Sequence, residues 1–268
     1  MRLPPAPPIR ITDHDAPEIA VFREVRERDL VGREGIFIAE GLSVLNVLLR
    51  SALTVRSILV EESRAARLPV LEERGATPLY VAPQAVLDAI AGFHLHRGIL
   101  AAADVPASAD LALLPETGPV RLPVLVTLSN HDNVGGIYRN AAAFGAAAVA
   151  IDPHTADPFY RKAIRVGVGA PLIVPTIRAA STRALLADLA ARNVTPYALT
   201  PRGTKILGET PLAPRAAFLL GTEGDGLPDE LIALAEPLAV RIAPGFDSLN
   251  VAATSALALH THMLEHGL

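Results

Sequence analysis

Three short segments concentrate residue types that can hold a ligand without thiol or metal. The first, Ser129-Asn130-His131-Asp132-Asn133-Val134-Gly135-Gly136-Ile137-Tyr138-Arg139-Asn140, follows an apolar run ending at Leu128. Asn133 reads as the N-cap of a helix reaching Phe144, Gly145 as its left-handed stop, and Arg139 falls in the second turn. The second, Leu220-Gly221-Thr222-Glu223-Gly224-Asp225-Gly226-Leu227-Pro228, is a glycine-rich strand-to-helix turn whose backbone can approach a ligand closely. Its spacing is neither a dinucleotide fingerprint nor a phosphate loop. Glu223 and Asp225 would repel phosphates and suit a cationic ligand or one with ribose hydroxyls. The third, Ile242-Ala243-Pro244-Gly245-Phe246-Asp247-Ser248-Leu249-Asn250, leads into a helix ending near Gly267, with Ser248 as its N-cap and Asn250 at its mouth. Free N–H groups there favour a carboxylate. Taken singly, the first reads more simply as a capped helix with one surface arginine, the second at least as readily as a tight structural turn, and the third as an ordinary cap.

Such segments need strands to present them. Buried apolar runs at Val124–Leu128, Ala147–Ile151, Leu172–Val174, Pro196–Leu199, Ala217–Leu220 and Val240–Ile242 alternate with helical stretches. That pattern predicts a parallel sheet covered on both faces, with ligands beyond the carboxyl ends of its strands. Ahead of it, helices at Ile19–Arg28, Glu40–Arg50, Val70–Arg74 and Pro83–Ala91 interleave with strands at Ser57–Val60, Pro78–Val81 and Gly98–Ala102, predicting a small α/β domain. The expected division is a mobile, proline-rich lead-in over 1–16, a domain over 17–104, a linker over 105–122 marked by Pro106, Pro115 and Pro119, and a second domain over 123–268.

The 268 residues are half hydrophobic and 19% charged, the balance of a folded globular protein. With no cysteine, disulfides, thiolate zinc sites and cysteine nucleophiles are excluded, and a reducing cytoplasm is the expected address. The apolar runs suit neither a membrane span nor a signal peptide. A net charge of −4 does not by itself favour a nucleic-acid partner. Local clusters qualify that: Arg161, Lys162 and Arg165 at helical spacing, and Arg202 with Lys205, either solvated faces or contact patches. His262 and His266 have metal-ligand spacing but no accompanying carboxylate pattern, so they are expected to be solvated and no metal is predicted. His94 and His96 flank Leu95 and are read as structural or nucleic-acid-facing rather than catalytic.

Taken together and in order, the three segments resemble the three motifs of the SpoU (TrmH-like) RNA ribose methyltransferases of the SPOUT superfamily. The likeness rests on Asn133, Gly135, Arg139, Ala141, Phe144 and Gly145; on Gly221, Glu223, Gly224, Gly226 and Leu227; and on Ser248, Leu249 and Asn250. It spans essentially all of Val124 to Leu268. Phe37-Ile38-Ala39-Glu40-Gly41 and His96-Arg97-Gly98-Ile99 are similar to the small substrate-binding domain of many members. Lys162-Ala163-Ile164-Arg165 also matches, although Gly167 stands where serine is more usual.

The resemblance implies an α/β domain with a deep trefoil knot, a homodimer, and S-adenosylmethionine bound bent within the knot. It implies methyl transfer to a ribose 2′-hydroxyl, in 23S rRNA by the two-domain build, with tRNA as the alternative target and a catalytically silent RNA-binding protein as the alternative role. By position it assigns Leu199, Thr200, Gly221, Glu223, Gly224, Ile242, Pro244, Leu249 and Asn250 to the cofactor. Arg139, Asn133, Glu223, Ser248 and Asn250 form the implied catalytic set, and Arg139, Arg161, Lys162 and Arg165 the RNA contacts.

Overall fold

The computed structural model describes residues 6–23, 30–65, 67–68, 71, 74–92 and 94–268. Its strands are β1 (Ile9–Arg10), β2 (Ile36–Glu40), β3 (Val55–Glu61), β4 (Leu79–Ala82), β5 (Ile99–Asp104), β6 (Val120–Leu125), β7 (Val149–Ile151), β8 (Thr176–Arg178), β9 (Thr195–Leu199), β10 (Lys205–Ile206), β11 (Arg215–Leu220) and β12 (Glu236–Ala239). The α-helices are α1 (Leu42–Arg50), α2 (Glu62–Ala65), α3 (Gln84–Ala91), α4 (His131–Ala143), α5 (Arg161–Val166), α6 (Thr182–Ala190), α7 (Asp229–Ile232) and α8 (Val251–His266). Among the described residues no helix is long and apolar enough to cross a membrane. The chain forms two compact units: Met1–Pro106 with Phe159–Leu172, and Ala107–Pro158 with Ile173–Leu268.

In the first unit a five-stranded sheet runs in the order β1-β4-β3-β5-β2, with β5 antiparallel to both neighbours and the β1, β4 and β3 pairings parallel. Successive residues of β3 serve opposite faces, as the pleat requires. Ile58 and Val60 pack with Val44, Leu45 and Leu48 of α1 and with Phe159 and Ile164, while Leu59 packs with Val86, Leu87 and Ile90 of α3. The segment 159–172, expected in the second domain, thus completes the first unit's core.

Local expectations shift for identifiable reasons. The lead-in is not wholly irregular: Ile9 and Arg10 lie just past the last proline and pair with Tyr80 and Val81 at the sheet edge, where one strand face needs no donor. The first expected helix is a 3-10 turn, Pro17–Phe22, and its remainder falls outside the described residues, as does much of Val70–Arg74. Glu40 closes β2 rather than opening α1, because Gly41 turns the chain at φ +91°.

The second unit holds seven parallel strands in the order β10-β12-β9-β11-β6-β7-β8. β11 and β6 pair in register from Arg215 opposite Val120 to Leu220 opposite Leu125. Leu185, Leu186 and Leu189 of α6 cover one face; Ala258 and Leu259 of α8 cover the other against Tyr197 and Phe218. Two-sided burial explains the continuous apolar runs.

The expected linker is largely structured. Asp110 caps a 3-10 turn at Leu111–Leu113, Leu114 is buried, and Val120–Leu122 are the first half of β6. Pro123 is tolerated inside that strand because β7 pairs with it only from Val124 onward. Leu172–Val174 is not a strand: Leu172 closes a 3-10 turn in the first unit's core, and the ladder begins at Thr176, beyond Pro175. Val240–Ile242 follows the last sheet strand, whose pairing ends at Ala239.

The C-terminal helix is fixed through the histidines expected to be solvated. His262 is fully buried; Arg121 of β6 donates Nε–H to its Nδ1 at 3.0 Å, and its Nε2 lies 3.0 Å from the Ala213 carbonyl. With Nδ1 accepting, Nε2 carries the proton and the ring is neutral. Arg121 also donates to the carbonyls of Phe144, Gly145 and Gly267, and His266 Nε2 lies 2.9 Å from the Leu212 carbonyl.

Candidate active site

At the carboxyl ends of β9, β11 and β12 the second unit opens into a cavity of about 1170 Å³. Its walls are the end of β9, the Leu220–Pro228 turn, the chain beyond β12, and the loop entering α8. The turn is tight where it leaves β11. A Cβ on Gly221 would stand 2.5 Å from the carbonyl carbon and oxygen of Gly226 and 2.7 Å from Leu227 N. Thr222 N–H donates to the Gly226 carbonyl at 3.3 Å, and Gly226 holds φ +71°. Those constraints require glycine at 221 and favour it at 226.

Three motifs meet on one atom. Glu223 Oε1 accepts from Asn133 Nδ2 at 2.8 Å and from Asn250 Nδ2 at 3.0 Å; Asn250 Nδ2 also reaches Asn133 Oδ1 at 3.0 Å. Asn250 Oδ1 meanwhile accepts from the N–H groups of Ala252 and Ala253, making Asn250 the N-cap of α8. Ser248, expected in that role, lies two residues upstream in the exposed loop. Asn130 likewise caps α4 by accepting from Asp132 N–H, which leaves Asn133 inside the helix, buried and turned to Glu223. In both cases the true cap sits where its oxygen reaches the second N–H of the helix.

Leu199, Thr200, Gly221, Glu223, Gly224, Ile242, Ser248, Leu249 and Asn250 border the cavity. Thr200 Oγ1 accepts from Arg202 N–H, bracing the turn after β9. Pro244 is exposed and outside the lining, as is Arg139, which forms no hydrogen bond or ion pair with any described residue. Arg139 lies six residues after Asn133, about 240° round the helix, and so leaves α4 on another side. Arg161, Lys162 and Arg165 belong to α5 of the first unit, where Arg161 and Arg165 flank Glu40. The Arg202 and Lys205 group is neutralised by Asp229 and Glu236.

The lining is acidic. Glu223, Asp225, Asp229 and Asp247 face it against Arg202, itself paired with Asp229 at 2.7 Å. Leu199, Leu238, Val240, Ile242 and Leu249 supply the apolar part. This combination suits a cationic ligand with a flat apolar moiety. Val240 and Ile242 read as a strand because they are apolar, yet they serve this cavity; Phe246, which also borders it, carried no distinguishing signal.

A model of the SpoU rRNA Methylase family matches residues 122–260. A tRNA/rRNA methyltransferase of Mycobacterium tuberculosis, itself uncharacterized, is 35% identical over 260 residues, covering 93% of this chain and 90% of the relative. A crystal structure of an RNA 2′-O ribose methyltransferase matches with a TM-score of 0.81 at 25% identity, covering 96% of this chain and 99% of the other. An AdoMet-bound rRNA methyltransferase from Sinorhizobium meliloti shares the fold, with a TM-score of 0.83 at 20% identity over 96% and 97% of the two chains. Full-length sequence likeness and the family match over the cavity-bearing unit agree, and the chain belongs to the SpoU rRNA Methylase family, as an RNA methyltransferase.

Proposed function

We propose that the chain transfers a methyl group from S-adenosylmethionine to a ribose 2′-hydroxyl of RNA, in 23S rRNA, in the cytoplasm, as a homodimer whose second unit carries a deep trefoil knot. The observation that carries this is the junction at Glu223 Oε1, which ties the three motif segments to one wall of an acidic cavity. The cofactor, when bound, supplies an activated methyl on a sulfonium. The residues present fit it: acidic groups for its two positive centres and an apolar wall for its adenine.

The protein's own work is then positioning and handling one proton. Gly221, Gly224 and the chain from Ile242 to Leu249 offer close backbone approach to the cofactor. Asn133 and Asn250 fix Glu223 so that its second oxygen, which has no partner among the described residues, holds a hydroxyl in line for transfer. Ser248 stands beside it as a further hydroxyl-binding group. Arg139 orients the target nucleotide through a phosphate and stabilises the developing alkoxide, since a guanidinium is a poor proton acceptor at neutral pH. The proton leaves through that phosphate or water. Because Arg139 lies off the cavity of its own chain, it serves the site of a second copy.

Incubating the chain with methyl-labelled S-adenosylmethionine and unmodified 23S rRNA transcript, then digesting to nucleosides, tests the reading. A 2′-O-methylated nucleoside is expected. Label on a base, or on tRNA alone, overturns the acceptor or the target respectively.

A further inference from the structure

A single exposed apolar side chain is ordinary on a protein surface. Phe246 is set apart by where it stands. It is 71% exposed, whereas among the described residues every other phenylalanine and tyrosine is buried or half-buried. Its ring makes no aromatic contact with any described residue, and it borders the cavity of the second unit.

The backbone holds that ring out. Phe246 N–H donates to the Ala243 carbonyl at 3.3 Å and Gly245 holds φ +84°, so Ala243-Pro244-Gly245-Phe246 is a type II turn with proline and glycine at its centre. Proline presets the first central residue and glycine takes the second without strain, so the turn stands formed before a ligand arrives. Four residues on, Asn250 Nδ2 donates to Glu223 Oε1 at 3.0 Å. Phe246 is thus tethered to that junction by at most about 14 Å of chain.

Charge decides what the ring meets. Glu223, Asp225, Asp229 and Asp247 lie on the lining, and Arg202, its one basic residue among those described, is taken by Asp229. A phosphodiester gains nothing from such a surface. A nucleotide entering here is held by its uncharged parts: sugar hydroxyls, which donate to carboxylates, and the base, whose faces stack on aromatic rings. Leu199, Leu238, Val240 and Ile242 already give the cofactor's adenine a wall, which leaves the exposed ring for a second flat group. We propose that Phe246 stacks on the base of the nucleotide whose ribose is methylated, as a substrate-positioning residue. The inference rests on the chain methylating RNA ribose and adds the group that holds the acceptor's base. Every base has a π face, so the stack fixes where the nucleotide lies without choosing which base it carries.

The chain has no tryptophan, so Phe246→Trp installs a lone fluorescent reporter that keeps a π face. Titrated with the transcript that the wild type methylates, and with S-adenosylhomocysteine present to hold off transfer, its emission should be quenched; S-adenosylhomocysteine alone should leave it unchanged. Phe246→Leu keeps apolar bulk without the π face. In steady-state assays with labelled S-adenosylmethionine its KM for the transcript should rise about tenfold, the scale of one lost base stack, and Phe246→Trp should bring KM back to within about twofold of the wild type. Cofactor affinity, melting temperature and oligomeric mass should not move. Emission indifferent to RNA, or a Leu variant with wild-type KM, overturns the stack. Quenching by S-adenosylhomocysteine alone, or a Leu variant that loses the cofactor or changes its oligomeric mass, assigns the ring to the cofactor or to a second copy and overturns it too. In all of these cases the wild type still methylates RNA. A wild-type chain that methylates neither 23S rRNA nor tRNA transcript overturns the ribose methyltransferase reading, and the stack with it.

Discussion

A single carboxylate oxygen joins chain segments 90 and 27 residues away, and what it accepts decides what may replace its donors. Asn133 is buried and gives Glu223 one of its two amide hydrogens. Asn133→Ala removes a charge-assisted hydrogen bond but leaves Asn250 in place, a loss of about 1–2 kcal/mol. Asn133→Asp is nearly the same size and places a second carboxylate at the first, so a larger loss is expected, about 3 kcal/mol near pH 8. Like charges this close push one carboxyl's proton affinity up, so acid relieves the repulsion. Thermal denaturation should show the Asp variant well below the Ala variant at about pH 8 and approaching it at about pH 5. Equal melting temperatures at both values would show that Glu223 does not hold this position. Gly221→Ala acts at the same junction by sterics: the added methyl meets the Gly226 carbonyl at 2.5 Å. We expect about 2–3 kcal/mol of destabilisation, read by melting temperature, and loss of S-adenosylmethionine binding by calorimetry.

At the scale of elements, α8 is held by a neutral histidine. Burial, then the neighbouring Arg121 and His266 charges, hold His262 down at about 4 from an ordinary 6.5. The unfolded chain takes up this proton near pH 6.5 and the folded chain not until about pH 4. Stability from this group is therefore complete above pH 6.5, is lost as pH falls between the two values, and reaches a floor below about 4. The full loss is about 3 kcal/mol. His262→Phe should flatten that stretch of the stability-against-pH curve, measured by urea denaturation; an unaltered acid limb would place the proton uptake elsewhere. The same helix shows what sequence can and cannot reveal. The parallel sheet and four of its strands were legible because two-sided burial leaves continuous apolar runs, as in Ala217–Leu220, whereas the order in which the strands lie side by side was not. The helix caps were not. Asn130 and Asn133 are both cap-competent and three residues apart, and only Glu223, far along the chain, distinguishes them. Val240 and Ile242 misled for a related reason, since an apolar residue looks alike whether it faces a sheet core or a ligand. His262 looked solvated because its partner, Arg121, lies 141 residues away.

For the whole molecule, the open question of geometry is Arg139, which the resemblance places in the catalytic set and the fold places on an exposed stretch of α4, outside the cavity. On a helix of this pitch Asn133 and Arg139 point about 120° apart, so the face that carries Asn133 to Glu223 turns Arg139 away. A symmetric pair of chains resolves the conflict if each lends its arginine to the other's cavity, because the same contact is then made twice. Mixing tests this without a crystal. Arg139→Ala and Glu223→Gln chains, each expected to be nearly inactive alone, are co-refolded in equal amounts. Random pairing makes half the dimers mixed, and in each mixed dimer one cavity combines the intact Glu223 of one chain with the intact Arg139 of the other. About a quarter of wild-type methyl transfer should return. If Arg139 served its own chain, every cavity in the mixture would carry one defect and no activity would reappear.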